Sequence, residues 1–255
     1  MCKLSAIIQL GEQKATPLEI KQMLISMEDG GRDATGIAFI MPNDIVYAKQ
    51  KGKASEVISG TFESDIEKYS SKSNAIILHT RQATHGTPDN NDNNHPIIGD
   101  KYILVHNGIV HTDRKYPASG ETDSEQMLRS IEFHGIAKGF SKCSGWVATI
   151  FADINNLKDF YWFANPTGSM SAGYDTERNI WLLASTYSII TKSIIPNTEE
   201  YSIAKNSLYR CDLSTGKITI ESKPIVKSNY YSYGNTKWDE WCCNRYKNKA
   251  YEYAF

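Results

Sequence analysis

NAIILHTRQATHG, residues 74–86, has four consecutive apolar residues after Asn74 and closes on a polar run ending in glycine. An apolar run this short, rich in β-branched side chains and bounded by turn formers, reads as a strand. KYILVHNGIV, 101–110, has the same form, and both runs lead into polar residues. Residues 4–10 look like a buried strand. TGIAFIM (35–41) and DIVYAKQ (44–50), joined by Pro42-Asn43, read as a hairpin. GWVATIFAD, DFYWFAN, NIWLLAS and a pair around Ser214-Thr215-Gly216 continue the series. Two segments have helical spacing instead. Thr16-Pro17 offers an N-cap and first-turn proline ahead of Ile20, Met23, Leu24 and Met27, with Gly30-Gly31 as the stop; Asp123 to His134 places Met127, Leu128 and Ile131 on one face before Gly135. Strands far outnumber helices, so the class is α+β, with two stacked, mainly antiparallel sheets to hold them.

No repeat or flexible linker divides the 255 residues. We read one domain over 2–225 and an aromatic-rich tail, 226–255, packed on it. Lys plus Arg (28) nearly balance Asp plus Glu (29), so no overall field draws the chain to nucleic acid or an anionic membrane. The N-terminal apolar stretch is broken by Ser5 and Gln9 and is too short for a signal segment or membrane span. Five scattered cysteines without a CxxC pair suit a reducing compartment. The expectation is a cytoplasmic protein.

Cys2 stands apart. Removal of Met1 would leave a thiol and a free α-amine on one residue, and that amine, with a reference pKa of about 7.7 to 8.0, can serve as base to the thiol. Taken alone, a Met-Cys start favours the ordinary reading. Four further segments change the balance: HTRQATHG (79–86), HPI (95–97), VHNGIV (105–110) and ETDSE (121–125). In this order after an N-terminal cysteine, they resemble the signature series of class II glutamine amidotransferases, HTRWATHG, HP, VHNG and S-E-T-D-T-E, in particular the glutaminase domain of glucosamine-6-phosphate synthase. GGRDATGIAFI (30–40) is similar to that family's R-G-x-D-S-A-G strand entry.

The resemblance implies a four-layer αββα N-terminal nucleophile hydrolase sandwich and hydrolysis of the L-glutamine side-chain amide through a γ-glutamyl thioester on Cys2. It implies that Asn107 and Gly108 form the oxyanion hole, that Arg81 meets the substrate carboxylate and Asp123 its α-ammonium, and that Thr84 and His85 line the glutamine site, largely through backbone groups. Each role suits its residue type. Amide donors stabilise a developing oxyanion, and a guanidinium can meet a carboxylate with two parallel hydrogen bonds. No cofactor is expected. Since 255 residues leave no room for a second catalytic domain, the ammonia would go to an acceptor on another, synthetase chain or would simply be released.

Ordinary readings stand beside these. In isolation Arg81 and Asp123 would be surface ion-pair partners, and Asn107-Gly108 a hairpin turn. His79, His85, His95, His106 and His111 match no metal-ligand spacing, so no metal is expected. DNNDNNHPIIGD (89–100) lacks the glycine and terminal Glu of a calcium loop and reads as a solvated polar loop. Two departures from the family pattern are visible. Gln82 replaces its Trp, and FANPTGSMSAG (163–173) does not follow its A-R-x-G-x-P-L run. Two competing functions remain: an N-terminal cysteine acylase for another amide, and a catalytically silent glutamine-sensing domain.

Overall fold

The structure is a computed structural model and describes residues 2–224 and 226. The chain runs β1 (Lys3–Gln9), α1 (Pro17–Ser26), β2 (Ala34–Ile40), β3 (Ile45–Lys51), α2 (Ala54–Val57), α3 (Glu63–Tyr69), β4 (Ala75–Arg81), β5 (Ile97–Ile98), β6 (Tyr102–Thr112) and α4 (Asp123–His134). It continues through α5 (Ile136–Ser141), β7 (Cys143–Asp153), β8 (Asp159–Ala164), β9 (Ser171–Asp175), β10 (Ile180–Ala184), α6 (Tyr187–Lys192), β11 (Thr198–Tyr201), β12 (Leu208–Asp212) and β13 (Lys217–Ser222).

The strands form two sheets, ordered β11-β9-β10-β1-β4-β2-β3 and β13-β12-β8-β7-β6-β5. Every pairing given for them is antiparallel. The period of two along a strand sorts side chains to opposite faces. From β1, Leu4, Ala6 and Ile8 enter the core between the sheets, joined by Ala38 and Ile77 of the same sheet and by Val105 and Ile150 of the facing one. Ile7, Ile37, Phe39, Ile76 and Leu78 point the other way, onto α1, α2, α3 and α6. The second sheet buries Leu104, Val147 and Phe151 under Met127, Leu128 and Ile131 of α4 and Phe140 of α5. Helices therefore cover both outer faces, and the layers are αββα, as the resemblance implied. With both its faces covered, the first sheet can carry near-continuous apolar runs in β1, β2 and β4.

Thr16 and Glu19 close a capping box at the start of α1, with Pro17 in its first turn. The α-helix ends earlier than expected, at Ser26, and one 3₁₀ turn, Glu28–Gly30, precedes Gly31; the glycine pair ends that turn and not the helix. Residues 54–72, given no element by the sequence, hold α2 and α3 joined by a π-turn over Ile58–Phe62. Gly60 and Thr61 interrupt the pattern there, and neither favours a helix. The predicted hairpins over 35–50 and around Ser214-Gly216 form as β2–β3 and β12–β13. The 226–255 tail falls, apart from Val226, outside the described residues.

Candidate active site

Cys2 directly precedes β1, half-buried. Its Sγ sits against the backbone of one residue. The Gln82 N–H donates to it (3.3 Å), and the S–H donates to the Gln82 carbonyl (3.4 Å). At the position where the family has Trp, the backbone is what touches the thiol. Burial pushes the Cys2 thiol above its ordinary value, against the Gln82 hydrogen bond and the nearby Arg81 charge, while Asp123 adds to the rise. The thiol thus rests protonated near neutral pH and must lose its proton as it attacks. Cys143 and Cys211 are buried deeper in apolar surroundings and are pushed up to about 12, in the range of inert structural thiols.

Arg81 ends β4 and is 3% exposed. One Nη1 hydrogen goes to Asn94 Oδ1 (2.9 Å), and Nη2 donates to the carbonyls of His85 (2.5 Å) and Gly86 (2.9 Å). Either fork of a guanidinium uses Nη2. With Nη2 turned to the loop, the two parallel bonds expected toward a carboxylate are not open in this arrangement. All three partners are neutral oxygens. Asp123, at the first turn of α4 behind the Thr122 N-cap, accepts from the backbone N–H of Val110 on Oδ2 and of Ser124 on Oδ1, both at 2.9 Å. None of the ion pairs among the described residues includes Arg81 or Asp123, so the surface ion-pair reading fails. A cation and an anion both lie near enough to the thiol to act on its charge, each hydrogen-bonded to neutral groups.

Asn107 and Gly108 lie in the middle of β6, opposite Ala148 and Val147 of β7, and form no turn. Gly108 has φ +148°, and a Cβ there would stand 1.9 Å from the Trp146 carbonyl, so only glycine fits. The Asn107 Nδ2 donates to Ser185 Oγ (3.2 Å), while its buried Oδ1 has no partner. Thr84 and His85 are exposed on the loop after β4, where the Thr84 hydroxyl meets His85 Nδ1 at 3.2 Å. The His85 carbonyl is already bound to Arg81. A cleft of about 960 Å³ has Asp123 and Val110 in its wall but neither Cys2 nor Arg81, and it meets the site at the carboxylate end.

Several supporting residues lie outside the predicted set. Asp33 Oδ2 accepts from Ala83 N–H (2.7 Å) and pins the same loop; its place in the GGRDATG segment was the available signal. Asn94 is fully buried beneath Arg81, as is Asn93, which corrects the reading of 89–100 as a solvated loop. These amides are spent internally, Asn94 Nδ2 on Pro88 O and Asn93 Nδ2 on Thr87 O. Asn165 stands in the divergent 163–173 segment. It binds Val147 N–H and Gly168 N–H through Oδ1 and Gly145 O through Nδ2, holding β7 opposite Gly108.

Three of the histidines are buried behind the site. His79 Nε2 donates to the His106 carbonyl (3.1 Å), joining the two sheets, and its ring stacks on His95 at 4.0 Å. His106 Nε2 donates to Trp146 O (3.2 Å), leaving Nδ1 to accept from the Ser124 hydroxyl (2.9 Å). Burial lowers all three, His79 to about 3, so each is neutral at physiological pH. His85 and His111 are exposed.

The family model described as class-II glutamine amidotransferases matches residues 20–155, a range that takes in Arg81, Asn107, Gly108 and Asp123 and begins after Cys2. Glutamine–fructose-6-phosphate aminotransferase (isomerizing) of Bacteroides thetaiotaomicron is 35% identical over 135 residues, covering 49% of this chain and 21% of the relative. The enzyme of the same name from Clostridium perfringens is 31% identical over 136 residues, with shares of 49% and 21%. The chain spans about a fifth of the length of these curated relatives. The solved structure of glutamine phosphoribosylpyrophosphate amidotransferase from B. subtilis, complexed with ADP and GMP, aligns with a TM-score of 0.66. It covers 88% of this chain and 50% of that one at 17% identity, a likeness of fold.

Proposed function

This chain belongs to the class-II glutamine amidotransferases, and we propose that it hydrolyses the side-chain amide of L-glutamine through a γ-glutamyl thioester on Cys2. The observation that carries this reading is that the buried Arg81 guanidinium, hydrogen-bonded only to neutral oxygens, and the Asp123 carboxylate both act electrostatically on the Cys2 thiol. A buried cation held only by neutral oxygens favours an anionic ligand. A carboxylate near the same thiol favours a cationic one. The zwitterionic head of a free amino acid satisfies both, whereas an amide lacking that head leaves both charges unpaired. This favours glutamine over the acylase alternative, and a thiol within the field of both charges favours catalysis over sensing.

The Cys2 sulfur attacks the side-chain carbonyl carbon of glutamine, its proton passing to the α-amine freed by loss of Met1. The tetrahedral oxyanion takes donors from the Asn107 side chain and the Gly108 backbone N–H. Collapse breaks the C–N bond, the amine returns the proton to the leaving nitrogen, and ammonia departs. Water then cleaves the thioester to glutamate and restores the thiol. Arg81 supplies charge and shapes the 82–86 loop, whose backbone, with Thr84 and His85, meets the head group. The ammonia goes to an acceptor reaction on an ammonia-using synthetase chain, in the cytoplasm. Among the described residues, no helix is long and apolar enough to cross a membrane.

Cys2→Ala tests the core of this reading: glutamate production from glutamine falls to background while the folded state survives, because Cys2 makes bonds and little packing. Wild-type turnover in that variant would remove the proposal. Intact mass of the active protein checks that it begins at Cys2, and glutamine blocked at either α-group should be a poor substrate. Turnover of blocked analogues at the rate of glutamine would restore the acylase reading.

A further inference from the structure

Ser185 joins the strand that bears the nucleophile to the amide of the oxyanion hole. It follows β10 directly and is 1% exposed. The last rung between β1 and β10 pairs Ser5 with Ala184. One residue further, the Ser185 N–H still donates to Leu4 O (2.9 Å), but the reciprocal bond runs to the side chain: Leu4 N–H donates to Ser185 Oγ at 3.0 Å. The hydroxyl donates back to Leu4 O (3.4 Å) and receives Asn107 Nδ2 (3.2 Å). Leu4 is two residues from Cys2, and Asn107 lies on the facing sheet.

A serine hydroxyl has one hydrogen and two acceptor sites. Here the hydrogen goes to Leu4 O, and the acceptor sites take Leu4 N–H and Asn107 N–H. The inventory is full, so Ser185 can only accept from Asn107. This decides which end of the amide faces it. The NH₂ group is held on the Ser185 side with one hydrogen engaged and one remaining, and Oδ1 is turned to where it has no partner. With the amide reversed, Oδ1 would face an oxygen whose one hydrogen is already spent, and a carbonyl would stand where the oxyanion needs a donor.

We propose that Ser185 is a positioning residue for glutamine hydrolysis, fixing the donor end of Asn107 toward the oxyanion and tying it to the strand that carries Cys2. The inference rests on the oxyanion role proposed for Asn107. Steady-state glutaminase kinetics on the full chain test it with Ser185→Ala, Asn107→Ala and the double variant. Ser185→Ala should lower kcat by about tenfold or more, with KM for glutamine moved less than about threefold, as for an interaction made in the transition state. The double variant should fall no more than about threefold below Asn107→Ala alone, because residues acting as one unit are non-additive. Ser185→Thr, which keeps the hydroxyl, should be more active than Ser185→Ala.

Full kcat in folded Ser185→Ala, additive losses in the double variant, or a loss confined to KM would each overturn the proposal. If Ser185→Ala does not fold, Ser185→Cys, a weaker acceptor of similar shape, carries the same kcat and additivity test. Full activity in Asn107→Ala would sink the oxyanion reading and this inference together. A large loss at Asn107 with none at Ser185 would remove this inference alone.

Discussion

The two strands that supply most of the site do so in different ways. On β4 the proposed binding residues come at the exit: Arg81 ends the strand, and the chain continues into a partly exposed loop carrying Thr84 and His85. That loop is held by Asp33 and by Arg81 itself, which turns Nη2 toward the carbonyls of His85 and Gly86. On β6 the proposed oxyanion pair Asn107-Gly108 sits inside a continuous ladder with β7, backed by Ser185 and Asn165. The donors proposed for the oxyanion lie where two strands hold them. The groups proposed to meet the substrate lie on a loop held by two charged side chains, Asp33 and Arg81. Rigid placement for chemistry and an adaptable edge for recognition follow from the same sandwich.

The sharpest way to break this comparison is Gly108→Ala. Its φ of +148° and the 1.9 Å approach to Trp146 O mean that a methyl group must displace β7 or twist β6. The backbone conformation alone costs about 1–3 kcal/mol in a non-glycine residue. We expect loss of glutaminase activity and a lower denaturation midpoint. Thr84→Ala on the exposed loop should leave stability within about 0.5 kcal/mol of wild type. Equal stability losses at both positions would erase the distinction between ladder and loop.

Next in size are the head-group charges. Arg81→Lys keeps the charge but cannot hold Asn94, His85 and Gly86 at once, and Asp123→Asn keeps shape without charge. Each should raise KM for glutamine, by about 10²-fold where the substrate's buried charge loses its partner, with smaller change in kcat. A fall in kcat at constant KM would place these residues with the oxyanion pair instead.

A separate effect, on stability against pH and not on turnover, comes from the buried histidines behind the site. His79 is held at about 3, below the ordinary 6.5, by burial, and His95 and His106 are lowered in the same direction. The unfolded chain therefore takes up protons that the folded chain refuses. Stability is complete above about pH 6.5 and is lost progressively as pH falls toward 3. The slope is at most about 1.4 kcal/mol per pH unit for each histidine. Urea unfolding at pH 7.5, 6 and 5 checks this, and a midpoint that holds or rises on acidification contradicts it.

Much of this was determined by local sequence. The β-branched runs of β1, β2 and β4, the Thr16-Pro17 helix start and the Asp123–His134 helix closed by Gly135 are local patterns, and strand alternation and capping act over a few residues. The ordered motifs around Arg81, Asn107 and Asp123 were legible for the same reason. What the sequence could not contain is who satisfies whom. Asn94 beneath Arg81 came from a segment that reads as solvated, because polar composition does not reveal burial. Residues 54–72 concealed their helices because their stability comes from packing Val57, Phe62 and Ile66 against the first sheet, not from their own propensity. Ser185, about 180 residues from Leu4 and about 80 from Asn107, has no local signature at all. Its role exists only because two facing sheets bring one hydroxyl within reach of both, and hydrogen bonds act over ångströms in space whatever the distance along the chain.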